Sequence, residues 1–275
     1  MEFESELIRL EPWTVREFRG GEGTPVALIH GLSGSFRWWS RNREFLASRH
    51  EVAGIDLIGF GSARRFTGSP LPLELEESTM LLARWIGRRF EEPVHVVGHS
   101  MGGQLAIHLA AEHPKLVRSL VLVSSSGVPI DLRPGQHLGP MFHPPGSLLS
   151  FLPVLLTDAF RAGPSSIALA LSRLIRDDVR PLLGAIRVPT LLVWGENDPI
   201  IPLRYARTFD SEISSSNLVV LARAGHIPMW DRPEEFNETV TRFLQEIERG
   251  RVAPPAEPRF HWALQGCDDG ICFRA

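Results

Sequence analysis

Short apolar segments alternate with longer segments of helical spacing along most of the chain. Segments such as Pro25 to Ile29 and Val94 to Val97 are apolar at successive positions, as strands buried on both faces are. Segments such as Leu73 to Phe90 and Glu234 to Ile247 repeat apolar residues on one side of a helix. This alternation predicts an α/β fold in which helices flank a mostly parallel sheet.

The remaining predicted elements follow the same order. Further strands are predicted at 13–18, 51–55, 116–123, 189–194 and 218–221, and further helices at 36–48, 104–111 and 203–209. The first residues, Met1 to Glu6, are acidic and lack the basic and apolar regions of a signal peptide.

A block from about Pro129 to Arg187 breaks the alternation. It is rich in proline, glycine, leucine and phenylalanine, and it contains helical patches such as Ile167 to Ile175. We expect residues 129–187 to form a helical cap over the carboxyl edge of the sheet, inserted after the sixth strand of a core made from residues 1–128 and 188–250. The alternative is an ordinary linker with one crossover helix.

The C-terminal tail, residues 251–275, lies outside this pattern. Val252 to Pro258 is proline-rich and predicts a stiff linker, and the Asp269-Gly270 pair predicts a tight turn between two short strands. Cys267 and Cys272 would face each other across that turn. A disordered tail, a reduced hairpin, a disulfide and a docking segment for a partner all stay open.

Composition narrows the possible partners. The chain has 275 residues, 43% of them hydrophobic, and a formal net charge of −3. This charge favours neither nucleic acid nor an anionic membrane as a partner. No apolar run reaches the length of a transmembrane helix, so we expect a soluble, cytoplasmic protein. A homo-oligomer formed through the cap or the tail is left open.

The candidate chemistry centres on a Gly-x-Ser-x-Gly sequence, Gly98 to Gly102, between a predicted strand and a predicted helix. A sharp strand-to-helix turn leaves little room beside the central residue, so the residues two positions away must be glycines. Such a turn exposes the Ser100 hydroxyl at the carboxyl edge of the sheet and aims the Met101 N–H toward the same point. Ser100 is therefore the predicted nucleophile.

A serine hydroxyl is a weak nucleophile unless a base takes its proton. His226 follows the last predicted core strand and is the predicted base, and Asp198, at the end of the preceding strand, is the acid that would hold it. The order Ser, Asp, His along the chain is the one that hydrolases with this turn use. Glu196 is the rival acid.

Acyl transfer also needs hydrogen-bond donors for the oxyanion. The N–H groups of Leu32 and Met101 are the predicted donors, with the Ser33 region as the fallback, whereas His30 is expected to support the backbone. No metal or organic cofactor is implied. The candidate substrate-binding residues come from the loops and the cap. They are Ser33, Met141, Phe142, Leu152, Leu155 and Ile227.

Five motifs in this order resemble the α/β-hydrolase superfamily, in its group of capped serine esterases and lipases. The motifs are His30 to Leu32, Asp56 to Ser62, Gly98 to Gly103, Val193 to Asp198, and Gly225 to Pro228. The resemblance covers roughly residues 13 to 248 and leaves out the tail. In this family an aspartate at the position of Asp56 usually fixes a loop.

The resemblance implies a carboxylesterase-like enzyme that cleaves esters of hydrophobic, uncharged small molecules through an acyl-enzyme. Dehalogenases and epoxide hydrolases of the same fold carry aspartate where this chain has Ser100. A carbon–carbon bond hydrolase, a lactone hydrolase or a perhydrolase is the alternative. A more distant alternative is a ligand receptor that turns over slowly or not at all.

Overall fold

The computed structural model describes residues 2–63, 71–129, 147–251 and 271–273. Within these residues, strands lie at Glu4–Leu10 (β1), Trp13–Gly20 (β2), Pro25–Ile29 (β3), Glu51–Ile55 (β4), Val94–His99 (β5), Val117–Val123 (β6), Thr190–Gly195 (β7), Ser216–Leu221 (β8) and Ile271–Phe273 (β9). They form one sheet in the order β1-β2-β4-β3-β5-β6-β7-β8-β9. Strands β3 to β8 are parallel, and β1, β2 and β9 pair antiparallel. The predicted fold class is confirmed.

Helices cover both faces of this sheet. In the described residues they lie at Arg43–Ala47 (α1), Leu75–Arg89 (α2), Met101–Glu112 (α3), Leu148–Ala162 (α4), Pro164–Arg176 (α5), Arg180–Leu183 (α6), Leu203–Glu212 (α7), Pro228–Asp231 (α8) and Pro233–Glu248 (α9). Buried side chains of α2, α3 and α7 form a core on one face, and those of α1 and α9 form a core on the other. Strand β5 lies between them, with Val96 in the first core and Val97 in the second.

Two predictions about the N-terminal part were wrong or incomplete. The helix expected at 36–48 is a short 3-10 helix, Phe36–Trp39, followed by α1. Asn42 lies between them, and its buried amide donates to the Met229 carbonyl and to Asn237 Oδ1. Strand β1 was not predicted, because its residues are mostly exposed and it forms an edge of the sheet.

The cap helices α4, α5 and α6 lie between β6 and β7, which agrees with an insertion after the sixth strand. Residues 130–146 of the predicted cap, and the hairpin expected around Cys267, lie outside the described residues. The described end of the tail, β9, pairs with β8 at the edge of the sheet.

The outer face of α4 is apolar and exposed. Leu149 and Phe160, near its two ends, are 82% and 88% exposed, and Leu152 and Leu156 lie between them on the same face. Across the described part of the chain, no single helix has both the length and the apolar character needed to cross a membrane. One pair, 149–162 with 164–176, passes that test together, but the two helices meet at a bend of 94°.

The start of α4 is joined to the segment that follows β8. The Ser147 hydroxyl donates to Asp231 Oδ1, and the Gly225 N–H donates to Asp231 Oδ2 over 2.7 Å. Burial raises the pKa of Asp231 to about 6, and the neighbouring Asp198 carboxylate acts in the same direction. This carboxyl group therefore binds its proton more tightly in the folded chain than in the unfolded one.

We predict that Asp231→Asn changes the pH dependence of stability. Because the folded pKa is raised, the stability that Asp231 contributes is greatest near pH 4 and is lost as the pH rises to about 6. Asparagine keeps an oxygen for the Gly225 N–H and does not titrate. The variant should therefore gain on the order of 1 kcal/mol relative to the wild type between pH 4.5 and pH 7.5. Urea unfolding at both pH values measures this difference.

Asp178→Asn is the control for this experiment. The Asp178 side chain bonds to the Arg180 guanidinium, which lowers the pKa of Asp178. The stability that Asp178 contributes is lost only as the pH falls below about 4, so the difference between this variant and the wild type should stay nearly constant from pH 4.5 to pH 7.5. Parallel stability curves for wild type and Asp231→Asn would contradict the prediction.

Candidate active site

Ser100 lies at the turn between β5 and α3, in the middle of the sheet. Its φ of 52° is in the left-handed region, which residues other than glycine rarely adopt. The Ser100 N–H donates to the Val123 carbonyl over 3.0 Å, and the Ser100 carbonyl accepts the N–H of Gln104 over 3.1 Å. These bonds to β6 and to the first turn of α3 hold the serine in its strained conformation.

Two glycines make this turn possible, as the sequence indicated. A Cβ atom on Gly98 would lie 2.4 Å from the carbonyl oxygen of Gly102, and a Cβ atom on Gly102 would lie 2.4 Å from the carbonyl oxygen of Ile29. Side chains at either position would push α3 away from β5 and β3. The hydroxyl of Ser100 would then lose its fixed place at the edge of the sheet.

The structure brings Ser100, His226 and Asp198 into one chain of hydrogen bonds. Ser100 Oγ lies 3.1 Å from His226 Nε2, and His226 Nδ1 lies 2.9 Å from Asp198 Oδ2. The Asp198 side chain is fully buried, whereas the His226 side chain keeps 14% exposure. The imidazole therefore has a carboxylate on one nitrogen and a hydroxyl on the other, with access from solvent.

Asp198, and not Glu196, is the carboxylate in contact with His226. The N–H groups of Ile200 and Ile201 donate to Asp198 Oδ1 over 2.9 and 2.8 Å, so the turn after β7 fixes the carboxylate. Glu196 is exposed, and it accepts the Arg223 N–H instead.

The loop after β3 lies directly beside Ser100. Ile29 of β3 pairs with Gly98 of β5, and a Cβ atom on Gly31 would lie 3.2 Å from the Cβ atom of Ser100. Leu32 follows in this loop, and Met101 is the first residue of α3, where an N–H has no acceptor within its own helix. The two candidate oxyanion donors thus flank the serine from neighbouring elements.

Three side chains shape the loop after β3. His30 Nδ1 lies 2.8 Å from the Gly31 carbonyl, and His30 Nε2 accepts the Leu57 N–H over 3.0 Å. Asp56 accepts the N–H groups of Phe36 and Ser62. His30 and Asp56 therefore bond to the backbone around the site. Ser33, the third, is buried and has a φ of 62°.

A buried cap carboxylate also contacts this loop. Asp158 Oδ2, on α4, accepts the Ser35 hydroxyl over 2.6 Å and the Trp38 Nε1–H over 3.1 Å. Arg37 Nη1 donates to Asp158 Oδ1 over 3.4 Å. A role for Asp158 was not predicted, because Ser35, Arg37 and Trp38 are 120 or more positions away in the sequence.

His99 is a second residue whose place in the site was not predicted. It is the last residue of β5, is fully buried, and its Nε2 lies 2.8 Å from the His226 carbonyl oxygen. A histidine at the buried end of a strand, directly before the candidate nucleophile, was the signal in the sequence.

The candidate substrate-binding residues do not form one group in the structure. Ile227 is buried, and Leu155 packs against the same core from α4. Leu152 is on the exposed face of α4, and Met141 and Phe142 lie outside the described residues. A separate small crevice beside Met101 was not anticipated. It is lined mainly by apolar side chains, among them Leu57, Ile58, Phe60, Leu73, Leu105 and Ala170.

In the described part of the chain, no group of three or more histidine, cysteine, aspartate or glutamate side chains is arranged to hold a metal ion. The hydrogen-bonded side chains of Ser100, His226 and Asp198 are suited to removing the proton from the Ser100 hydroxyl.

Comparisons with known proteins agree with this architecture. The model of the alpha/beta hydrolase family matches residues 26–239. A pimeloyl-[acyl-carrier protein] methyl ester esterase from Aeromonas hydrophila is 30% identical, and the match covers 82% of this chain and 97% of the relative. A dihydrolipoyllysine-residue acetyltransferase component of an acetoin cleaving system from Pseudomonas putida is 31% identical, and the match covers 82% of this chain but only 65% of that longer protein.

Solved structures share the fold at lower sequence identity. A putative lipase from Acinetobacter baumannii superposes with a TM-score of 0.77 at 22% identity, over 90% of this chain and 93% of that one. A bacterial membrane phospholipase A gives a TM-score of 0.76 at 24% identity, over 90% and 87% of the two chains. Together with the family match over most of its length, these findings establish that the chain belongs to the alpha/beta hydrolase family.

Proposed function

We propose that this protein is a carboxylesterase-like serine hydrolase that cleaves esters of hydrophobic, uncharged small molecules through an acyl-enzyme. The observation that carries the proposal is the chain of hydrogen bonds from Asp198 through His226 to Ser100. It is supported by a relative named as a methyl ester esterase and by another named as a putative carbamate hydrolase, 27% identical, from Azorhizobium caulinodans.

The first half of the reaction follows from these contacts. His226 Nε2 takes the proton of the Ser100 hydroxyl as Oγ attacks the ester carbonyl carbon. The N–H groups of Leu32 and Met101 stabilise the negative charge that develops on the carbonyl oxygen. Asp198 keeps the other imidazole proton on Nδ1 and stabilises the imidazolium. The imidazolium then protonates the leaving alcohol, and the acyl group remains on Ser100.

The second half repeats the same steps with water. His226 takes a proton from water as the hydroxide oxygen attacks the acyl carbon, and the imidazolium returns that proton to Ser100 Oγ as the acid departs. One ester and one water give one acid and one alcohol. Every proton transfer in this scheme passes through His226 Nε2.

The carboxylates in the described part of the cap disfavour a cationic substrate. Asp158 is buried and accepts hydrogen bonds from the core, Asp177 accepts from Gln104 and lies 2.8 Å from His108 Nε2, and Asp178 binds Arg180. These cap carboxylates are therefore engaged with the protein itself and are poorly suited to hold the ammonium group of a substrate. The apolar lining of the crevice beside Met101 suits an uncharged acyl group.

We predict that Ser100→Ala abolishes covalent labelling by a fluorophosphonate. The variant should also lower kcat/KM on p-nitrophenyl butyrate by about four orders of magnitude or more, because the proposed acyl-enzyme forms on the Ser100 hydroxyl. Ser211→Ala is the matched control, since its hydroxyl is exposed and bonds only to the Thr208 carbonyl nearby on α7. Labelling of Ser100→Ala at the wild-type rate would refute the proposal.

We predict that Asp198→Asn and Glu196→Gln differ sharply in turnover. Asparagine at position 198 destabilises the imidazolium and favours the wrong tautomer of His226, so kcat should fall by about 10³- to 10⁴-fold. Glu196→Gln should keep kcat within about threefold of the wild type, because Glu196 contacts the Arg223 N–H and not the imidazole. Steady-state kinetics at pH 8 measures both variants, and a larger loss in Glu196→Gln would contradict the assignment.

We predict that uncharged acyl groups are preferred over charged ones. Arg173 lines the crevice, but its guanidinium is already bonded to Glu74 and to the Pro72 carbonyl. A charged acyl group would therefore enter without a free partner at a cost of several kcal/mol, so kcat/KM should fall by about 100-fold or more. The measurement compares p-nitrophenyl butyrate and hexanoate with the monoester of adipic acid and with an amino-acid ester. Lactones and carbon–carbon bond substrates complete the panel, and faster turnover of any of these classes would replace the proposed substrate class.

A further inference from the structure

His99 forms a direct bond between the two chain segments that carry the proposed nucleophile and base. It precedes Ser100 in β5, and its Nε2 lies 2.8 Å from the carbonyl oxygen of His226. Because a carbonyl oxygen only accepts hydrogen bonds, His99 Nε2 is the donor. One hydrogen bond thus joins the peptide of His226 to the turn that holds Ser100.

The environment of His99 keeps the imidazole neutral. Burial lowers the pKa of His99 well below the usual value, and a positive charge on His226 would lower it further. A neutral imidazole carries one proton, and the carbonyl contact assigns that proton to Nε2. Within the described residues, His99 Nδ1 is buried without a hydrogen-bond partner.

The unpaired Nδ1 indicates that a histidine occupies this position because of its Nε2–H donor. An apolar side chain of similar size would fill the same space without burying an unpaired polar atom. Gly31 leaves room for the ring, since a Cβ atom there would lie 2.8 Å from His99 Nδ1. Trp38 packs on the ring at 5.6 Å between centroids, and its indole N–H is bound by Asp158. The ring is therefore fixed with its donor aimed at His226.

We propose that His99 is a positioning residue, which holds the His226 segment against the nucleophile turn through its Nε2–H. Asp198 orients the imidazole ring of His226, whereas His99 fixes the main chain from which that ring projects. Together they maintain the 3.1 Å separation between His226 Nε2 and Ser100 Oγ. This inference rests on the proposed function, because it assigns His99 a part in the same proton transfer.

The test compares His99→Leu with His99→Gln. Leucine fills the space and has no donor, so kcat on p-nitrophenyl butyrate should fall by about 10- to 100-fold while KM changes by less than about threefold. The second-order rate of fluorophosphonate labelling should fall in parallel, since it reports on Ser100 without a bound ester. Glutamine carries an amide N–H at nearly the same distance from the backbone and should recover most of both rates.

His95→Leu is the matched control. His95 lies on the same strand, is equally buried, and its Nδ1 lies 2.6 Å from Ser119 Oγ, far from the loop of His226 along β5. This variant should lose stability as His99→Leu does but keep kcat within about threefold. Equal losses of kcat in the two leucine variants, or no rescue by glutamine, would overturn the inference.

A measurement on the unaltered protein covers the case in which His99→Leu does not fold. The ¹⁵N shifts of the imidazole should show His99 as the neutral Nε2–H tautomer from pH 5 to pH 9, and a charged ring or the Nδ1–H tautomer would overturn the inference.

The proposed function and the role of His99 can be refuted separately. Absence of labelling in the wild type removes the proposed function, whereas labelling of His99→Leu at the wild-type rate removes only the role of His99.

Discussion

The close contact of three backbone segments at the end of β5 determines the geometry of the whole site. Gly98, Gly102 and the carbonyl of Ile29 approach so closely that Cβ atoms on either glycine would collide with main-chain oxygens. This contact lets α3 begin at once after the strand and forces Ser100 to a φ of 52°. Strain of this kind costs about 1–3 kcal/mol, and bonds to β6 and α3 offset it. The serine hydroxyl and the N–H of Met101 are fixed by the same turn.

The cap is bound to the loops on both sides of that turn. Asp158 of α4 accepts from Ser35 and Trp38 in the loop after β3, while Ser147 donates to Asp231 in the segment after β8. Phe151 of α4 lies between these contacts, with ring centroids 5.1 Å from Trp38 and 5.0 Å from Trp230. One cap helix therefore supports the loops that carry a candidate oxyanion donor and the candidate base.

The parallel core and the candidate triad could be predicted from the sequence because their signals are local. Each signal spans only a few positions of the sequence. These signals are the apolar runs of the strands, the serine between two glycines, and the residues that follow β7 and β8. The carboxyl ends of parallel strands meet at one edge of the sheet, so local signals were enough to bring Ser100, Asp198 and His226 together.

Features that depend on distant contacts could not be read in this way. Strand β1 has no buried face that would leave an alternating pattern, and the predicted helix at 36–48 is interrupted where Asn42 reaches residues of α8 and α9. The contacts of Asp158 and His99 join positions more than one hundred residues apart. The identity of a histidine or an aspartate in a sequence gives no indication of which distant side chain or backbone atom it will contact.

The burial of Asp158 bears on how caps can be exchanged among proteins of this fold. A cap grafted from a relative without an equivalent carboxylate would leave the hydroxyl of Ser35 and the indole N–H of Trp38 unpaired in the interior. Conversely, this cap moved onto another core would bury the Asp158 carboxylate without the donors of Ser35 and Trp38, while Arg161 of the same helix would stay 3.8 Å from it. In any recombination of such enzymes, α4 and the segment from Ser35 to Trp38 must therefore be inherited as a unit.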